Sequence, residues 1–172
     1  MAAPDVGAGS PFWRFSLATY RKSGVAEACL ALQDGLGVDV NVLLFVLWLG
    51  AQGRRLDDVE MQFVLDEAAG WAGEVVVPLR TVRRRLKDDA PLVATEAAQA
   101  FRTQVKRLEL EAERLEQEAL FGLAGRIAGG ERTSPEVAIR ANVDALARAM
   151  DRSFPEPEVI RLVAAARPPS AS

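Results

Sequence analysis

The residues best placed to do chemistry lie in one short stretch, from Leu30 to Asn41. Four polar side chains, Gln33, Asp34, Asp39 and Asn41, cluster where one apolar helix hands over to a more apolar one, and Trp48 follows on the second. Asp39 and Asn41 can serve as helix caps, because a short side-chain oxygen accepts from the free amides of a first turn. Asp34 has no such role. A carboxylate at a helix C-terminus faces the negative end of the macrodipole, at a cost of about 0.3–1 kcal/mol. It therefore calls for a partner, with Arg54, Arg55 or the amides opening the third helix as candidates. Two readings stand side by side. One is a hydrogen-bonded corner between helices; the other is a polar pocket that binds a small molecule or a metal through Asp34, Asp39 and Asn41. A calcium loop of the EF-hand type does not fit, since the twelfth position counted from Asp34 is Phe45 rather than glutamate.

Two further constellations involve charge. Arg80, Arg83, Arg84 and Lys87 stand at i, i+3, i+4 and i+7, a single basic stripe with Arg85 beside it. Such a stripe binds an anion or an acidic partner, or is simply a solvated face; on one helix its affinity is weak and salt-sensitive. Further on, Phe101, Val105, Leu108, Ala112, Leu115 and Ala119 make a heptad seam flanked by Glu109, Glu111, Glu116 and Glu118. A parallel homodimer along that seam would bring like charges together. Pairing the acidic flanks with the arginines inside one chain also fails on register. In a tight antiparallel hairpin turning near Pro91, Arg83 lies opposite roughly residue 100, about nine residues short of Glu109. Either the two helices do not form that hairpin, or the acidic flanks meet another surface, a second copy of the chain or another protein; most long helices with such a seam simply pack on their own core.

Composition narrows the chemistry further. The chain has no histidine and one cysteine in 172 residues. Ser-His-Asp triads, Cys-His dyads, His-ligated zinc and intramolecular disulfides are excluded. Cys29, on an apolar helix face, reads as a small core residue, and Asp57-Asp58 and Asp88-Asp89 as a helix cap and a helix-end loop. Neither Gly122 to Gly125 nor Gly129-Gly130 has the spacing of a phosphate loop. No catalytic residue, cofactor or metal set is identified. A net charge of −3 argues against general nucleic-acid binding. Eighteen arginines against three lysines can reflect either anion recognition or a G+C-rich genome. The N-terminal MAAPDVGAGS lacks the features of a signal peptide. Val40 to Ala51, the longest uncharged apolar run, is far short of the roughly 20 residues of a spanning helix. A cytoplasmic protein is expected.

The elements that must position these residues are helices. Ser10-Pro11 and Ser134-Pro135 are cap-plus-proline starts. Gly35 and Gly37 suit left-handed caps, Asp57 with Glu60 makes a capping box, and Gly70 is expected to stop the helix that follows. The Val75-Val76-Val77 run has no partner strand and reads as a helix bent or restarted at Pro78. A helix of about thirty residues runs from about 95 to 125. The fold class is all-α, a single-domain bundle of seven to eight helices. Its expected parts are a flexible tail (1–9), a helical core (10–128), a C-terminal helical pair (129–167) and a second tail (168–172).

The string Phe12-Trp13-x-Phe15, Tyr20, Gly24-Val25, Cys29-Leu30-x-Leu32-Gln33-Asp34, Gly37-x-Asp39-Val40-Asn41, Leu43-Leu44-Phe45, Leu47-Trp48-x-Gly50 resembles a family of small proteobacterial proteins of unknown function, over roughly residues 12 to 110. The resemblance implies no activity, ligand or catalytic residue. It marks Gln33-Asp34, Asp39-Val40-Asn41 and Trp48 as signature positions. The leading functional expectation is a non-enzymatic protein that binds a macromolecular partner through the long helix or the Arg80–Lys87 stripe. Its rival is a small-molecule or metal-binding protein, an enzyme included, with a polar site at Asp34, Asp39 and Asn41 beside Trp48.

Overall fold

Val40 to Ala51 carries one strongly polar side chain, Asn41, so the helix it forms has almost no face for water and has to be enclosed. The computed structural model, which describes residues 9–87, 93–127 and 131–168, builds the fold round that helix. Among these residues are eight α-helices: α1 (Pro11–Tyr20), α2 (Val25–Leu36), α3 (Val40–Ala51), α4 (Asp58–Trp71), α5 (Val77–Arg85), α6 (Thr95–Leu123), α7 (Pro135–Ala149) and α8 (Glu156–Ala166). No strand is present among them; the nearest thing is a single bridge between Arg54 and Arg132. Most of residues 1–9 and 168–172, Asp88-Asp89, the expected turn at Pro91, and Gly129-Gly130 lie outside the described residues.

The core follows from α3. Leu43, Phe45, Val46, Leu47 and Leu49 are completely buried, each worth roughly 1.5–3 kcal/mol of transfer free energy. α3 packs most extensively on α7. A Cβ on Gly50 would stand 2.6 Å from the Cα of Ile139, so only glycine lets the two backbones come this close. α8 closes the core against α2 and α7, while α1 and α6 cover the other side of α3.

The caps expected at Ser10, Asp39, Asp57 and Ser134 all form, Asp57 in a complete capping box. Several expectations are corrected. Gly70 does not stop its helix. The rod runs through it to Trp71, widens into one π-helical turn over Ala72–Val76, and continues directly as α5. Pro78 explains the widening, because it lacks an amide and its ring crowds the carbonyl of the preceding turn. A π turn, closed by the Val77 amide on Ala72 O, carries the rod past it without a break. Counted as rods, the eight helices are seven.

The heptad seam of α6 is also rolled. Phe101, Leu108 and Leu115 are about half exposed, whereas Glu109 and Glu116 are buried in line with Val105 and Ala112. The body of the protein offers Arg80, Arg83 and Asn41 on that side, so carboxylates with partners go in and leucines without them stay out. The register objection to the α5–α6 hairpin falls for a geometric reason. Side chains lean toward the N-terminus of their own helix, so in an antiparallel pair the arginines of α5 and the glutamates of α6 lean toward each other. Gln99 Nε2 donates to Leu86 O (3.1 Å), which sets the register of α5 against α6. Two long side chains then span the remaining offset of about 10 Å.

Candidate functional site

Helix α3 begins at Asp39, whose Oδ1 accepts from the amides of Asn41 (2.8 Å) and Val42 (3.4 Å). Asn41 is not a second cap, as expected, but a buried first-turn residue turned toward α6. Its Nδ2 donates to Glu116 Oε2 and its Oδ1 accepts from Gln117 Nε2, both at 2.8 Å. The pair is completed by two adjacent residues of one helix, which fixes how α6 lies across the start of α3. The network stays open at its outer end. Glu116 Oε1, Gln117 Oε1 and, on α1, Ser16 Oγ are all buried without a hydrogen-bond partner.

Among the described residues Glu116 has no cation beside it. Burial, then the negative charge of Asp39, push its carboxyl up to about 9. It is therefore a neutral acid at neutral pH, the form that a carboxyl takes when it is desolvated next to another carboxylate.

Arg80 and Arg83 on α5 form the neighbouring wall. Arg80 Nε donates to Glu109 (3.1 Å) and its Nη2 to Glu113 (2.8 Å); Arg83 grips Glu109 through Nε and Nη2. Burial raises the Glu109 carboxyl, but Arg83 and Arg80 together outweigh it and hold the group below the ordinary glutamate range. Glu113 goes the other way, because burial outweighs its single arginine.

All of these groups except Glu116 line one open cleft of about 640 Å³ between α1–α3 and α5–α6. Ser16, Asp39, Asn41 and Gln117 line its polar part, and Arg80, Arg83, Glu109 and Glu113 one wall. Leu17, Leu30, Val40, Leu44 and Leu110 supply apolar surface, with Trp13 and Tyr20 beside them. Gln33, Glu111, Arg107 and Arg114 complete it. Arg114 is held by Glu111 (Nη2 to Oε1, 2.7 Å); Arg107 has no ion pair among the described residues. The Tyr20 phenol is raised by burial, then by Cys29 and Glu113, so it remains a donor.

The remaining predicted site residues go elsewhere. Asp34 finds its partner in Arg84 (2.6 Å), not in Arg54, Arg55 or the α3 amides. That exposed pair borders a smaller recess of about 330 Å³ on the far side of Arg80. Arg54 instead donates to Ala124 O and Ile127 O at the end of α6. Trp48 belongs to the core, its ring centre 5.5 Å from Phe12, 5.9 Å from Phe45 and 5.7 Å from Phe121. Arg85 and Lys87 are exposed. Glu118 accepts from the Ser10 amide (3.1 Å). Cys29 is buried, which pushes its thiol up to about 12. No group of three acidic or cysteine side chains among the described residues could hold a metal ion.

Sequence reasoning missed Ser16, Trp13, Tyr20, Arg107, Leu110 and Gln117. Ser16 had a readable signal, since Phe12, Ser16 and Thr19 share one buried helix face and a serine there calls for an explanation.

No helix among the described residues is long and apolar enough to cross a membrane. No curated protein and no solved structure matches the chain. A family model does, from residue 11 to residue 120. That span contains every residue lining the cleft and leaves α7 and α8 outside. The chain belongs to the family described as "Protein of unknown function (DUF2390)".

Proposed function

We propose that this is a non-enzymatic binding protein that takes up a small organic molecule in the cleft between α1–α3 and α5–α6. The observation that carries the reading is one of convergence. The polar corner, the basic stripe and the acidic-flanked helix, separate in sequence, each contribute side chains to this cleft. Buried polar atoms in a folded protein are normally satisfied, and two that are not, Ser16 Oγ and Gln117 Oε1, belong to residues that line it. A mixed lining of apolar walls with a few convergent polar groups is what small-molecule sites use. The reading includes residence in the cytoplasm, supported by the single buried thiol.

A protein partner is the second reading, and a different observation favours it: Phe101, Leu108 and Leu115 expose an apolar stripe along α6. The charged groups first expected to serve a partner support it less, because Arg80, Arg83, Glu109 and Glu116 are used within the chain.

The test is a fragment screen on the full chain, read by two-dimensional NMR. Binders are expected to move the Trp13 indole and the side-chain amides of Asn41 and Gln117. A screen in which these resonances never move, or in which every binder maps to the Phe101–Leu115 stripe, overturns the small-molecule reading.

A further inference from the structure

We propose that the group the cleft is built to hold is a primary ammonium on an aliphatic body, seated against Gln117 Oε1, Ser16 Oγ and the Asp39 carboxylate. The inference rests on the small-molecule reading above and adds the chemical class of the ligand.

The direction of the hydrogen-bond chain argues for a donor. Glu116 Oε2 accepts from Asn41 Nδ2, so Asn41 presents Oδ1 to Gln117, and Gln117 must answer with Nε2. This turns Gln117 Oε1 away from the network as an unused acceptor. Ser16, 2% exposed, adds an unused hydroxyl, and both residues line the cleft. Asp39 is the third acceptor there, since its cap uses Oδ1 for two amides and, among the described residues, no cation pairs with it; its charged neighbour is the Glu116 carboxyl. An ammonium has three N–H donors and no acceptor, matching three oxygens that need donors.

Charge points the same way. Of the cations lining the cleft, Arg80 and Arg83 are taken by Glu109 and Glu113, and Arg114 by Glu111; Arg107, without an ion pair among the described residues, stands ten residues before Gln117 on α6, about 15 Å along the helix. The polar end carries the negative charge of Asp39, to which no cation is paired among the described residues. An anionic head would meet acceptors and carboxylates there; a neutral alcohol would supply one donor. Beside the polar end, Leu17, Leu44 and Leu110 give an alkyl chain apolar surface to cover.

The probes are n-hexylamine, 1-hexanol and hexanoate, titrated into the full chain with the Gln117 side-chain amide and the Trp13 indole as reporters. Hexylammonium is expected to bind at least tenfold more tightly than either of the others. Asp39→Asn keeps a capping oxygen while removing the charge, and should cut that preference below threefold, chiefly by weakening hexylammonium. Ser16→Ala removes a hydroxyl that bonds to nothing in the protein, so it should fold normally and weaken hexylammonium several-fold. Hexanol or hexanoate binding as tightly as the amine in the cleft overturns the ammonium assignment and leaves the small-molecule reading standing. Full preference retained in both variants also overturns the assignment. Failure of all three probes to move the two reporters overturns both.

Discussion

Two buried asparagines, Asn142 on α7 and Asn41 on α3, show how differently one residue type can be used. Asn142 is fully enclosed and every polar atom of its amide is engaged. Its Oδ1 accepts from the Leu56 amide (2.8 Å), and its Nδ2 donates to Val46 O (3.0 Å) and Arg54 O (2.9 Å). All three partners are backbone groups, so Asn142 fastens α7 to α3 and to the loop after it. Asn41 is nearly as buried, but its partners are the side chains of Glu116 and Gln117, and each of those keeps an oxygen with nothing to bond. A closed network is architecture. An open one, facing a cleft, is where a ligand has something to gain.

Substitutions that damage the closed region should cost most. Asn142→Ala leaves the Leu56 amide and the Arg54 carbonyl unanswered, while Val46 O keeps its helical bond; at roughly 1–3 kcal/mol for an orphaned group, plus the lost packing, the loss should be about 4 kcal/mol. Urea unfolding would measure it, and a loss under 1 kcal/mol would show that the α7 network is dispensable. Gly50→Ala attacks the same seam sterically. Its Cβ would lie 2.6 Å from the Ile139 Cα and 2.8 Å from its amide nitrogen, both backbone atoms with little room to give. Overpacking of that kind costs about 3 kcal/mol. Neither change touches the cleft, so ligand affinity, measured where the fold is intact, should be unaffected.

Glu109→Gln tests the cleft wall, with an intermediate effect. Breaking a buried ion pair costs about 3–5 kcal/mol, but Arg80 and Arg83 keep 17% and 24% of their side-chain surface in contact with solvent. A loss of about 2 kcal/mol is therefore expected. Its pH dependence has a definite sign. The Glu109 carboxyl is held below its ordinary value in the folded state, so its contribution is present above the ordinary glutamate range and disappears as the pH falls through the lowered value. Acid unfolding of the wild type should include this step, and that of the variant should lack it.

The contrast between the two regions also marks what the sequence could convey. Helix number, most caps and the buried centre were legible, because Asp39, Asp57 and the Ser-Pro pairs act within one turn and Val40–Ala51 can only be interior. The corner at Gln33 to Asn41 was legible as unusual. The roll of α6 was not. Heptad counting ranks leucine above glutamate for burial, and it cannot know that Arg80, Arg83 and Asn41 wait on the other side. The same ignorance misassigned the partner of Asp34, since Arg84 is 50 residues away in sequence and comes into reach only once α5 folds back beside α2. Asp34 and Trp48 looked like parts of one site, yet one ends in a surface ion pair and the other in an aromatic core. Local rules placed the helices; only the packing decided which polar atoms were left over.

The smallest effect near neutral pH, and the sharpest test of the open network, belongs to Glu116→Gln. Glutamine is nearly isosteric with the protonated acid and can still accept from Asn41, so near pH 5 the two proteins should differ by less than about 1 kcal/mol. They should separate as the pH rises. The folded-state value of about 9 lies above the ordinary 4.5, so the folded protein holds a proton that the unfolded chain releases. Stability contributed by this group is complete below the ordinary value and is lost as the pH climbs through the folded one. Asp39 and Glu113 both bear on the titration, because their negative charges raise the Glu116 value. With no histidine in the chain, few other groups titrate between pH 6 and 9, so the slope in that window reports largely on Glu116 and its acidic neighbours. Wild type should lose on the order of a few kcal/mol from pH 5 to 9, and Glu116→Gln should flatten most of that decline and become the more stable protein at pH 9. Adding Asp39→Asn to the wild type should move the midpoint down, since it removes the nearest negative charge. A wild-type profile as flat as that of Glu116→Gln would mean that Glu116 is ionised at neutral pH.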